Sequence, residues 1–217
     1  MINITKVEGN FSLKDEGSFI LASSSLTRSK LLKSAGLEHH LMPANIDEQT
    51  VRKSAELRLI PAKEIALILA NEKSKSVFNK IKSQFKNPLV LGCDQILFCK
   101  KTIFEKPSSF NQAREQLLAL SGKTHQLFTA ATLYKDGKCI WSFVAKARMT
   151  MRKLEEEFIE NYLMIIGKKA FDSPGSYQVE SIGVQLFTRI DGCYYGILGL
   201  PLIQLFDFLR QKALMKE

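Results

Sequence analysis

The chain has 217 residues, of which 45% are hydrophobic and 24% charged; this is ordinary for a globular protein and enough to bury a core. No apolar run reaches the roughly 18 residues of a membrane span, and the opening Met1-Ile2-Asn3-Ile4 lacks a signal-peptide pattern, which argues against a membrane partner and against export. The net charge of +9 raises nucleic acid as a partner, but the lysines are scattered, with no charge block or aromatic–basic alternation. Scattered cations suit solubility and anionic small molecules as well as they suit RNA, so charge alone selects no partner, and nucleic acid is not the leading expectation. Cys93, Cys99, Cys139 and Cys193 show no zinc or redox spacing and read as reduced thiols, which predicts a cytoplasmic protein.

Residues 1–18 are weakly patterned and read as an N-terminal extension or edge strand; residues 19–217 read as one domain. Phe19-Ile20-Leu21-Ala22 predicts a short strand. Ser23-Ser24-Ser25 and a helix from Leu26 to Ala35, stopped by Gly36, follow it. A strand, hydroxyl-rich turn and helix start aim backbone N–H groups at one spot, with Arg28 one turn inside. That pattern serves either as plain capping or as an anion site. Leu37–Met42 reads as a strand whose His39 and His40 point to opposite faces, a poor metal pair expected at the surface. Asp47 and Glu48 read as the cap and first turn of the next helix.

Pro61 opens a helix running to about Ile81, with a stripe of Ala62, Ala66, Leu69 and Val77 interrupted by Lys73. A lysine there either snorkels at the edge, the commoner outcome, or reaches a site. Next comes Leu89-Val90-Leu91-Gly92-Cys93-Asp94-Gln95-Ile96-Leu97-Phe98, a buried strand with a carboxylate in its middle. Asp94 must be paired, bound to metal or protonated, because an isolated buried charge costs several kcal/mol, roughly, even after relaxation. Gly92 leaves room for a ligand or another backbone.

Beyond a basic turn and Ile103-Phe104-Glu105-Lys106-Pro107, Ser108 is the expected cap of a helix carrying Phe110, Ala113, Leu117 and Leu120. Thr124–Tyr134 and Cys139–Met151 form a hairpin around Asp136-Gly137. A helix with Leu154, Phe158, Tyr162 and Ile165 ends at Gly167. It precedes a Gly/Ser/Pro stretch to Glu180, a strand Val184–Ile190 turning at Asp191-Gly192 into Tyr194–Leu198, and a last helix after Gly199-Leu200-Pro201. Helices and hairpins without strict alternation indicate an α/β fold with a mixed sheet.

In order along the chain stand Leu21-Ala22-Ser23-Ser24-Ser25 with Arg28, Asn45-Ile46-Asp47-Glu48, Gly92-Cys93-Asp94 and Lys106-Pro107. Leu120-Ser121-Gly122-Lys123-Thr124-His125, Gly175-Ser176-Tyr177 and Gly199-Leu200-Pro201 follow. From about Ile20 to Arg210 the sequence resembles the Maf family of nucleoside triphosphate pyrophosphatases. The resemblance implies an elongated mixed β-sheet with flanking helices in two lobes, similar to the inosine triphosphate pyrophosphatase fold, with a central cleft and commonly a homodimer. It implies hydrolysis between the α- and β-phosphates with a divalent metal cation, Mg²⁺ or Mn²⁺, as a house-cleaning activity. It makes Asp94, Glu48 and Lys106 catalytic, Glu48 and Asp94 metal ligands, and Ser25, Arg28 and Lys73 substrate-binding.

Three positions depart from the family's common pattern. Ser25-Leu26-Thr27-Arg28 lacks a first arginine at Thr27, Gln95 follows the catalytic Asp where many members have Thr, and Glu180 stands where many have Gln. Thr27, Gln95 and Glu180 are therefore the expected selectivity residues. They resemble the branch acting on 7-methyl-GTP more than the dTTP/UTP branch. The competing readings are a dTTP/UTP pyrophosphatase, a catalytically weak nucleotide- or nucleic-acid-binding regulator of septum formation, and, least favoured, a Cys93/His125 thiol hydrolase.

Overall fold

A computed structural model describes residues 4–14 and 16–215. Of the expected 1–18 extension, residues 1–3 and 15 lie outside the described residues, as do 216 and 217 at the other end. The architecture is α/β: an open, eight-stranded mixed sheet with seven flanking α-helices among the described residues. The strands are β1 (Thr5–Val7), β2 (Phe19–Ala22), β3 (His39–Leu41), β4 (Leu89–Cys99), β5 (Thr102–Phe104), β6 (Thr124–Lys135), β7 (Lys138–Met151) and β8 (Phe187–Asp191). The helices are α1 (Leu26–Ser34), α2 (Glu48–Leu57), α3 (Ala62–Ile81), α4 (Phe110–Leu120), α5 (Glu156–Ile166), α6 (Tyr194–Ile197) and α7 (Leu202–Gln211).

The sheet order is β1-β3-β2-β4-β6-β7-β8, with β5 paired on β4. Pairing is parallel for β2 with β3 and β4, and antiparallel for β1–β3, β4–β5 and β7–β8. Parallel neighbours need crossover connections, which explains why helices fill the links from β2 to β3 and from β3 to β4. Long-range contacts divide the chain into two compact units. One comprises residues 1–95, 129–145 and 199–217; the other comprises 96–128 and 146–198.

In the first unit, Leu21, Leu32, Leu37, Leu91, Cys93, Leu205 and Leu209 form one buried cluster, while Ile20, Val77, Ile81 and Val90 belong to another. Alternation along β2 and β4 sends successive side chains into these two clusters, so both strands are apolar on both faces. Gly92 lies where α3 presses on β4: a Cβ there would overlap the Ala70 carbonyl oxygen and crowd the backbone of Ser74. Of the two openings the sequence leaves for Gly92, the close approach is thus made by backbone.

The second unit gathers Leu97, Leu117, Leu120, Met149, Ile159, Tyr162, Tyr177 and Leu186 around another core. Here several sequence expectations shift. Ser109, not Ser108, caps α4, accepting from Gln112 N–H, because the chain enters the helix one residue later than predicted. On α5 the buried residues are Ile159, Tyr162, Leu163 and Ile166, and Ile165 is exposed; the predicted stripe started too early, since Leu154 precedes the helix. The predicted strand Val184–Ile190 is a 3₁₀ turn over Ile182–Leu186 followed by β8. Tyr194–Ile197 is helical rather than extended, a run too short for its apolar residues to show a period that separates strand from helix. His39 is fully buried, not at the surface, with Nε2 2.9 Å from Ser29 Oγ and Nδ1 2.9 Å from the Leu37 carbonyl.

No helix among the described residues is long and apolar enough to cross a membrane, and all four cysteines are free thiols. The contact at Gly92 gives a direct test. Gly92→Ala should destabilise the protein by about 3 kcal/mol or more, because neither β4 nor α3 can yield without uncoupling the sheet. Thermal unfolding of the variant against wild type measures it, and an unchanged midpoint would refute the packing described.

Candidate active site

Asp94 lies in the middle of β4 and is only 4% exposed. Lys73 projects from the buried face of α3, in the turn between Ala70 and Ser74 that packs on Gly92, and is 7% exposed. Its ammonium is 2.7 Å from Asp94 Oδ1 and 2.9 Å from Glu48 Oε1. Glu48 is the first residue of α2, placed by Asp47, whose carboxylate caps the helix by accepting from the Thr50 N–H at 2.9 Å. Of the three states open to a buried Asp94, the structure realises pairing, and Lys73 reaches a site rather than snorkelling. Asp94 Oδ2 is buried without a hydrogen-bond partner.

An orphaned carboxylate oxygen beside a second carboxylate fits a hard divalent ion. Mg²⁺ is commonly held by one or two carboxylates and completes its shell with water and phosphate. Among the described residues no group of three or more His, Cys, Asp and Glu side chains gathers, so Asp94 and Glu48 would supply a partial shell at most.

Ser25 caps α1, its hydroxyl accepting from the Arg28 N–H at 3.4 Å. The Arg28 guanidinium folds back: Nε donates to the Gly199 carbonyl at 2.8 Å, and one Nη donates to Ser23 Oγ at 3.1 Å and to the Cys93 carbonyl at 3.2 Å. Arg28 thus ties α1 to the residue next to Asp94 and to the turn before α7. Thr27 is half-buried in the first turn of α1. The Gln95 amide donates to Thr129 Oγ1 at 2.8 Å.

Lys106 and Glu180 belong to the second unit. Lys106 is an exposed residue of the loop between β5 and α4, and Glu180 is exposed in the turn before the 3₁₀ segment. The cluster around Lys73 therefore unites Asp94 with Glu48, with Arg28, Ser25, Thr27 and Gln95 in the same unit. Ser23 and Gly199, which the sequence reading placed in motifs without a role of their own, bind Arg28, and Thr129, which it did not single out, binds Gln95. A signal was present for Thr129, since it interrupts the apolar run of β6 as Asp94 interrupts β4. Nothing local in the sequence marks a backbone carbonyl such as that of Gly199.

The motifs 120–125 and 175–177 lock together. Ser121 Oγ accepts from the Leu154 N–H at 2.8 Å, and Lys123 donates to the Ala119 carbonyl at 2.6 Å, closing the end of α4. His125 Nε2 lies 2.8 Å from the Tyr177 hydroxyl. Burial pushes the Cys93 thiol up to about 11, and His125 is engaged by Tyr177, so a thiol hydrolase has neither a thiolate nor a base.

A family model described as Maf-like protein matches residues 18–212. The chain belongs to the Maf-like family. It is 43% identical over 191 residues to a 7-methyl-GTP pyrophosphatase of Mesorhizobium japonicum, covering 88% of this chain and 94% of the relative. A 7-methyl-GTP pyrophosphatase of Brucella abortus is 45% identical over 195 residues, 89% of this chain and 95% of its own. A nucleoside triphosphate pyrophosphatase of Nitrobacter hamburgensis is 43% identical over 196 residues, with coverage of 90% and 94%. The Maf-like relatives thus align over nearly the whole of both units.

Burial lowers the pKa of His125 to about 4, well below the ordinary histidine value of about 6.5 expected for the unfolded chain. The folded protein resists a proton that the unfolded chain accepts. This contribution to stability is complete above pH 6.5, roughly, and is lost as the pH falls toward about 4, by about 3 kcal/mol. Urea unfolding at pH 7.5, 5.5 and 4.5 should show that loss, and His125→Gln should flatten it. Equal slopes in the two proteins would remove His125 as its source.

Proposed function

We propose that this protein hydrolyses nucleoside triphosphates at the bond between the α- and β-phosphates, releasing a nucleoside monophosphate and pyrophosphate. The observation that carries this reading is the Lys73–Asp94–Glu48 cluster with its unpartnered Asp94 oxygen, found in a chain whose Maf-like relatives are named as pyrophosphatases of nucleoside triphosphates. A pure nucleotide binder has little use for two carboxylates beside an anion, which weighs against a regulator without turnover.

In this reading Asp94 and Glu48 hold Mg²⁺ or Mn²⁺, which when bound polarises the phosphate and neutralises charge developing on it. Asp94 orients the attacking water through its second oxygen and accepts its proton; a carboxylate alone is a weak base, which is why a cation belongs in the site. Lys73 and Lys106 offset negative charge on the triphosphate, and the N-terminal turn of α1, with Ser25 and Arg28, receives phosphate oxygens. The protein works as a homodimer in the cytoplasm, as the family resemblance implies. Asp94→Asn should stay folded and lose about a hundredfold or more in kcat, a size typical for a positioned general base. Turnover near wild type at saturating metal would displace Asp94 from the centre.

The favoured base is an N7-methylated guanine. Guanine offers adjacent N1–H and N2–H donors that one carboxylate accepts together, and methylation at N7 adds a positive charge that a carboxylate attracts. Uracil and thymine present one N–H between carbonyls that Glu180 would repel. Glu180 is exposed and so available to a ligand. The 7-methyl-GTP names of two relatives at 43% and 45% identity support the same choice. Pyrophosphate release should rank 7-methyl-GTP above GTP and both above UTP and dTTP, and Glu180→Gln should narrow the gap. A wild type preferring UTP or dTTP refutes the base assignment and leaves the pyrophosphatase reading intact.

A further inference from the structure

Resting on the reading of Asp94 and Glu48 as metal ligands, we propose that Lys73 stands in for the metal: its ammonium holds the two carboxylates in register until a divalent cation displaces it. Lys73 leaves the middle of a 20-residue helix among buried neighbours on both sides, Ala70 and Val77, so its head does not escape to solvent. The ammonium instead bridges carboxylates from two other elements at 2.7 and 2.9 Å, the position a small cation takes between hard oxygens. Glu48, with its side chain 45% exposed, could point its carboxylate to water, yet it turns toward a buried lysine.

The charge count makes the lysine a temporary occupant. Two carboxylates and one ammonium leave the cluster at −1. A divalent ion added to the nucleotide-free site must push against the ammonium, whereas a triphosphate gives that ammonium a new partner. The lysine swings from carboxylate to phosphate, and the vacated Asp94 Oδ1 and Glu48 Oε1 are left to the ion. Metal and nucleotide then bind as a pair: each raises the affinity for the other by the same factor. Lys73 thereby prevents the free protein from holding a metal with no substrate.

The test is calorimetric titration of Mn²⁺ into nucleotide-free wild type, Lys73→Met and Lys73→Gln, with free Mn²⁺ followed independently by its electron paramagnetic resonance. Both variants should bind Mn²⁺ about tenfold tighter than wild type or more, since a buried like charge has been removed. The gain should vanish when Asp94→Asn is added. In wild type, an analogue with a methylene bridge between the α- and β-phosphates should raise Mn²⁺ affinity about tenfold or more, and the rise should be smaller in the variants. Variants that bind Mn²⁺ no tighter than wild type overturn the proposal. So does a wild type whose Mn²⁺ affinity ignores the analogue, a result that stands even if neither variant folds. Pyrophosphate release by wild type with Mg²⁺ separates the two levels. Release without any gain in the variants sinks only the role of Lys73, and absence of both release and Mn²⁺ binding sinks the site itself.

Discussion

The ion pair between Lys73 and Asp94 is the constraint around which the first unit is arranged. A carboxylate in a strand that is apolar on both faces can be kept charged only by a partner carried in from another element. α3 delivers that partner, and α2 adds a second acid to the same ammonium. Losing one member of a buried pair typically costs about 3–5 kcal/mol, because the other charge is stranded. An apolar pair of similar size would hold the fold as well or better. Stability alone therefore gives no reason for the charge, and the unpartnered Asp94 oxygen adds to that cost rather than offsetting it.

That pair can form only because α3 sits unusually close to β4. Gly92 makes the approach possible, and the Ser74 hydroxyl, 2.9 Å from Thr132 Oγ1, joins α3 to β6 in the same layer. Arg28 does comparable work on the other side of β4, binding the Cys93 carbonyl, Ser23 and the Gly199 carbonyl with one planar fork. A lysine could not replace those three bonds, since it has no fixed fork. Asp94 is thus held to α3 through its own side chain, while the carbonyl of its neighbour Cys93 is held to α1.

Much of this is legible in the sequence. Strands β2, β4, β6 and β7 announce themselves by apolar runs and the Asp136-Gly137 turn, and α1 and α3 by Ser25, Gly36 and Pro61. Asp94 and Lys73 were each legible as a violation of its own pattern, a charge in a strand and a cation in a stripe. Their bond was not, because 21 residues separate them and only the sheet order and the helix packing bring them together. Burial of His39 escaped for the same reason: its partner Ser29 lies in α1, and a histidine with both ring nitrogens satisfied looks no different in sequence from one at the surface. The errors at Ile182–Leu186 and Tyr194–Ile197 arose where short apolar runs carry no period, so strand and helix could not be told apart.

The segment 173–177 shows how a unit can hold a backbone that its residues would not choose. Gly175 has φ +79°, and Ser176, fully buried, has φ +61°, a conformation that costs a side-chain-bearing residue about 1–3 kcal/mol. The surroundings supply the compensation. Gln116 accepts from the Gly175 N–H at 2.8 Å, Ser173 donates to the Tyr177 carbonyl at 2.6 Å, Tyr162 donates to the Ser176 carbonyl at 3.1 Å, and His125 meets the Tyr177 hydroxyl. Added methyl bulk at Gly175 would strike Leu97 and Tyr177. Strain so thoroughly braced resists slippage of the turn that follows, and that turn carries Glu180. If Glu180 reads the base as proposed, such a mount serves it better than burial would. It can stay exposed to meet a ligand while the backbone beneath it stays fixed.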